Sequence, residues 1–125
     1  MQQASDYELE LMKIIWANNN SALYTEIYSA LESKGFKWTK NTVITLLLRL
    51  IEKKMLKTSK VGRKNIYHAI VAENEYQAEQ TSNFVNKLFE GSTKGLVAAL
   101  IEKNMLSSND YEELRDYWKK VNETK

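Results

Sequence analysis

Apolar positions in this chain follow two periods, and the clearest of them lies in its middle. Val43, Leu46, Leu47, Leu50 and Ile51 fall at i, i+3, i+4, i+7 and i+8, one stripe along a helix that Thr39 is placed to cap. At about 100° per residue, the opposite face carries Asn41, Thr42, Thr45, Arg49 and Glu52. Ile44 and Leu48 lie near the edges of that polar face. For both, burial against the preceding helix competes with contact to a thymine methyl; burial is the expectation for Leu48, and Ile44 stays open. Period two follows directly. Leu56 to Lys60 and Asn65 to Ile70 read as short strands joined through Val61-Gly62-Arg63-Lys64, where Gly62 can take φ > 0. Tyr67 falls at the root of this hairpin.

Upstream, Ser5-Asp6-Tyr7-Glu8 has the form of a capping box. It opens a first helix with Tyr7, Leu11, Ile14 and Ile15 on one face and Leu9, Met12 and Trp16 widening the buried arc. Asn18-Asn19-Asn20 stops it. Ser21 or Ala22 opens a second helix, with Ile27, Tyr28 and Leu31 inward and Gly35 as its left-handed stop. Phe36 and Trp38 are expected to pack the turn onto the core. Two helices joined by a short Gly-containing turn, then a hairpin, form a winged helix-turn-helix. Downstream, Glu73-Asn74-Glu75 opens a long helix bearing Phe84, Val85, Leu88 and Phe89, which Gly91-Ser92 breaks. Leu96, Val97, Leu100 and Ile101 mark a fifth helix. Ser107 to Asp110 caps a sixth, striped by Leu114, Tyr117 or Trp118, and Val121.

The expected fold is therefore mainly α with a small β-wing. A winged helix-turn-helix domain spans 1–72, and a three-helix module spans 73–125. Three helices in about 50 residues without Cys bury too little of their own surface, so the module is expected to dimerise.

Charge sharpens the division. The net charge is +2, but the stretch Lys34–Lys64 holds eight Lys and two Arg against the single acid Glu52, a net of +9. Residues 1–72 carry +5 and residues 73–125 carry −3. The first part has the balance of a polyanion binder. The short hydrogen-bonding face of the third helix suits base edges, and the basic hairpin suits the neighbouring backbone. The candidate DNA-binding residues are Lys40, Asn41, Thr42, Thr45 and Arg49 on the helix and Lys60, Arg63 and Lys64 on the wing.

Other chemistry finds little support. There is no Cys, and the one histidine, His68, has no partner at ligand spacing, so neither metal nor cofactor is expected. No phosphate-binding loop, zinc-protease or serine-nucleophile motif occurs, so catalytic residues and an enzymatic role are not expected. No apolar run approaches the roughly 18 residues of a membrane span, and the polar N-terminus is no signal peptide, which makes a cytoplasmic location the expectation. A winged helix can also dock proteins, or bind DNA nonspecifically as an architectural element, and these alternatives stay open.

Several runs carry a family resemblance. They are Tyr7-Glu8 with Met12 and Ile14-Ile15-Trp16; Trp38-Thr39 with Thr42-Val43, Thr45-Leu46, Arg49-Leu50 and Lys53; Thr81 to Lys87; and Glu112-Glu113-Leu114-Arg115. Across nearly the whole chain this resembles the penicillinase-repressor family (BlaI and MecI, with the copper repressor CopY). The resemblance implies a winged-helix repressor, dimeric through its C-terminal helices, on a palindromic operator. It puts the DNA-facing residues at Asn41, Thr42, Thr45 and Arg49, with Ile44 where relatives can carry a basic side chain. It also implies a partner protease that inactivates the repressor by cutting an Asn-Phe bond. The matching position here is Ala99-Leu100. The copper branch carries C-terminal cysteine pairs, and this chain has none.

Overall fold

The first helix, α1 (Asp6–Ala17), starts where its capping box places it. Ser5 Oγ accepts from the Glu8 N–H at 3.3 Å, and Glu8 Oε1 accepts from the Ser5 N–H at 3.1 Å. In this computed structural model, which describes residues 2–123, the chain forms two compact units, Met1–Gln80 and Thr81–Lys125. Leu11, Met12, Ile14, Ile15 and Trp16 bury one side of α1. Tyr7 departs from expectation. The first turn extends past the core, leaving Tyr7 58% exposed with its ring against Trp38 at 4.9 Å, and Trp38 meets Phe36 at the same distance.

The next element also differs. Asn19 and Asn20 take φ of 58° and 67°, turning the chain so that Ser21–Leu23 forms a strand, β1, rather than a helical turn. Pairing with a later strand, Ala22 opposite Tyr67, fixes these residues as extended and buries Ala22. Helix α2 (Tyr24–Ser33) then begins, with Glu26 Oε1 accepting from the Leu23 N–H at 2.8 Å. It ends as expected at Gly35, φ +85°, where the Phe36 N–H donates to Leu31 O and the Gly35 N–H to Glu32 O, both at 3.0 Å.

Helix α3 (Lys40–Glu52) is capped by Thr39, whose Oγ1 accepts from the Thr42 N–H at 3.2 Å. Val43, Leu46, Leu47 and Leu50 are buried as the stripe requires. A second left-handed stop, Lys54 at φ 62°, turns Met55 and Leu56 into the core. Strands β2 (Leu56–Val61) and β3 (Lys64–Ala69) pair antiparallel with Val61 opposite Lys64, so the turn is Gly62-Arg63. Gly62 has φ +65°, the arrangement in which glycine leads a two-residue hairpin turn. The sheet order is β1-β3-β2.

Helix α4 (Glu73–Phe89) opens inside the first unit. Trp16 Nε1 donates to Val71 O at 2.8 Å, its ring lies 5.7 Å from that of Tyr76, and Tyr76 Oη accepts from the Ala4 N–H at 2.8 Å. In the second unit, α5 (Thr93–Glu102) is capped by Ser92 and α6 (Ser108–Glu123) by a reciprocal Ser107–Asp110 pair. Neither α5 nor α6 buries a residue, and Trp118 is 69% exposed. Among the described residues no helix is long and apolar enough to cross a membrane.

Candidate nucleic-acid interface

Helix α3 sends its buried stripe one way and a ridge the other. Asn41, Thr45, Leu48 and Glu52, at i, i+4, i+7 and i+11, are all exposed and point directly away from the core. Leu48, expected to be buried, is 55% exposed. The four residues Val43, Leu46, Leu47 and Leu50 already fill the contact with the core, and Leu48 is rotated well off their stripe.

Two depressions flank the ridge. On one side Asn41, Thr42, Thr45 and Arg49 line a shallow cleft with Tyr7 and Leu46. On the other a groove of about 450 Å³ runs between α3 and the wing, and it gathers Lys40, Arg63 and Lys64 over a floor that includes Ile44, Ile51 and Tyr67. Lys60 stands outside both, exposed on β2 opposite Asn65. Seven of the eight sequence-derived candidates thus line one depression or the other, with Asn41 and Thr45 on the ridge itself.

The cations differ in availability. Among the described residues no ion pair holds Lys40, Arg49, Lys60, Arg63 or Lys64. Lys40 Nζ lies 5.9 Å from the Tyr24 ring centroid, a loose cation–π approach. Lys53 belongs to the same basic stretch but is spent internally. Its Nζ contacts Glu8 Oε1 at 2.5 Å and donates to Gln3 O at 3.0 Å. Glu8 is 2% exposed. Burial alone pushes its carboxyl up, but the bond from Lys53, that from the Ser5 N–H, and the Lys53 charge outweigh it and hold the carboxyl below its ordinary value.

Neutral donors complete the groove. Burial raises the phenol of Tyr67, and burial followed by the neighbouring Tyr28 and Tyr67 raises that of Tyr24. Both therefore keep their protons at neutral pH. Thr42 Oγ1 lies 3.0 Å from Thr39 Oγ1, so part of its hydrogen-bonding capacity goes to the cap. His68 bridges all three strands: Ser21 Oγ lies 2.8 Å from Nδ1, and Ser59 Oγ 2.9 Å from Nε2. Both ring nitrogens are thus engaged in holding the sheet together.

Sequence reasoning missed Tyr24, Thr25 and Leu23 as groove lining. They reach it because β1 carries the start of α2 alongside the wing, and no local pattern announces so short a strand.

Comparison with known proteins agrees with this geometry. The sequence profile described as penicillinase repressor matches residues 4–120. The penicillinase repressor of Bacillus licheniformis is 36% identical over 112 residues, 90% of this chain and 86% of that protein. The methicillin resistance regulatory protein MecI of Staphylococcus aureus (strain N315) is 31% identical over 114 residues, 91% of each. Among solved structures, the DNA-binding domain of the repressor BlaI aligns at 39% identity with a TM-score of 0.51, over 61% of this chain and 94% of that one. Monomeric Bacillus licheniformis BlaI, solved in complex with the blaP half-operator, aligns at 41% identity and the same TM-score, over 60% of this chain and 89% of that one. A winged helix with a polar ridge between two depressions, within a sequence matched over nearly its whole length, places the chain in the penicillinase repressor family.

Proposed function

We propose that this protein is a sequence-specific transcriptional repressor that binds a palindromic operator as a homodimer. The observation that carries the reading is the ridge of α3 with cationic groups on both flanks: Arg49 on one side, Lys40, Arg63 and Lys64 on the other. Phosphates held on both sides bring the ridge over the base edges of a major groove. Asn41 and Thr45 supply hydrogen bonds there, Arg49 a guanine or phosphate contact, and Lys60, Arg63 and Lys64 sequence-independent attraction. The BlaI structure solved with half-operator DNA supports the mode of binding.

Pairing is supported by the second unit, where α5 and α6 hold no fully buried residue and leave Ile101, Leu114, Tyr117 and Trp118 largely in water. A second copy covers them, and twofold symmetry sets half-sites about 34 Å apart or a multiple of that. Repression follows from occlusion of polymerase, in the cytoplasm, with no catalytic step. Proteolysis between the first unit and α6 would end the pairing; Ala99-Leu100 stands where the family resemblance implies an Asn-Phe bond, so the cut is not assigned to that position. The test is selection of bound sequences from a random duplex library with the full-length protein. An inverted repeat of fixed spacing, preferred by about 10³ over random duplex, is the expected result. Enrichment of no sequence overturns the reading in favour of architectural or protein docking.

A further inference from the structure

Of the four residues that point straight out from α3, three bring hydrogen-bonding or charged groups and one brings none. That one is Leu48. The core does not account for it, because Val43, Leu46, Leu47 and Leu50 are buried without it and more than half of its side chain stays in water. Its apolar neighbour Ile44, one turn earlier on the wing side, is half-buried and lines the same groove. The ridge therefore presents Asn41 and Thr45 followed by an apolar knob.

The major groove has one apolar group to match such a knob, the C5 methyl of thymine. We propose that Leu48 is a specificity-determining residue that selects a T·A pair in each half-site by packing on that methyl. The inference rests on the α3 readout proposed above and adds a base preference to it. A cytosine at the same place carries a hydrogen instead of a methyl at C5 and presents an N4 amino donor, which Leu48 cannot satisfy. The pair is rejected by lost apolar contact and by desolvation of an unpaired donor.

The experiment uses the full-length protein and the duplexes recovered by selection. Each dT of a half-site is replaced in turn by dU, which lacks only the methyl. One position is expected to weaken binding about fourfold, and about fifteenfold when both half-sites are changed, the loss that follows from uncovering one methyl per site. Leu48→Ala is expected to bind the dT and dU duplexes equally at that position, whereas Ile44→Ala keeps the discrimination. Equal binding of dT and dU duplexes by the unsubstituted protein overturns the proposal, and needs no variant to fold. So does an undiminished dU effect in Leu48→Ala. Selection that recovers an operator without a dU effect removes the role of Leu48 alone. Selection that recovers nothing removes the α3 readout and this inference with it.

Discussion

Replacing Lys53 with Met leaves Glu8 buried without its cation, and the consequence is a reversal in how stability depends on pH. The Glu8 side chain is 3% exposed and that of Lys53 24%. Breaking a fully buried pair costs about 3–5 kcal/mol, and the partial solvent access of Lys53 lowers this to roughly 2–3 kcal/mol at neutral pH. For a unit of this size the loss corresponds to ~10–20 °C in Tm. In the unsubstituted protein the carboxyl of Glu8 is held below its ordinary value of 4.5. Its stabilisation is complete above that value and is lost as pH falls through the lower folded-state value. In Lys53→Met burial dominates and the folded-state value rises above the unfolded one. The penalty is then full at neutral pH and relieved on acidification, as the buried carboxyl takes up a proton. The gap between the two proteins should be widest near neutrality and close towards pH 4. Urea unfolding in a Trp118→Phe background, where Trp16 and Trp38 report the first unit, measures it. An equal gap at both pH values refutes the argument, because the cost would then not be that of an uncompensated charge on Glu8.

Trp16→Phe removes the bond to Val71 O and should cost about 1–3 kcal/mol in the same unfolding assay, since a buried carbonyl loses its partner; a change below about 0.5 kcal/mol contradicts this. Gly62→Val puts a β-branched residue at φ +65°. It should cost about 1–3 kcal/mol and weaken DNA binding without altering the preferred sequence, as unfolding and library selection would read. Arg49→Ala should lose about 1–3 kcal/mol of operator preference if the contact is bidentate to a base, while Lys64→Ala weakens all duplexes alike and lowers the salt slope by about 1. Indistinguishable variants would remove the division between helix and wing. A chain ending at Gln80 keeps Tyr76 against Trp16 and should sediment as a folded monomer with weak DNA binding; a dimer would contradict the pairing assigned to the second unit.

What could be read from the sequence was what local rules determine. The stripe of α3, its Thr39 cap, the Ser5–Glu8 box, the stop at Gly35 and the turn at Gly62 each follow from residues within a few positions of one another. The strand β1 was misread because three residues carry no period, and Ser21–Leu23 become extended only through β3, more than forty positions away. Tyr7 and Leu48 were misassigned for a related reason. A helical wheel shows which residues share a face but not where the opposing surface ends, and both residues lie beyond that edge. The placement of Lys53 was hidden too. Sequence counts it among ten cations, and only tertiary structure shows that it neutralises an acid in α1.

The bare helices of the second unit make the proposed repressor a gauge of its own abundance. In the proposed dimer, α5 and α6, which hold no fully buried residue within one chain, gain shelter from a second copy. Well below the dissociation constant of the pair, the operator-competent species scales with the square of the chain concentration. Halving the chain concentration, as when synthesis lags behind growth, then quarters the dimer. A modest fall in supply opens the promoter sharply, so that synthesis rate as well as any inducing signal sets the threshold at which the regulated genes switch on.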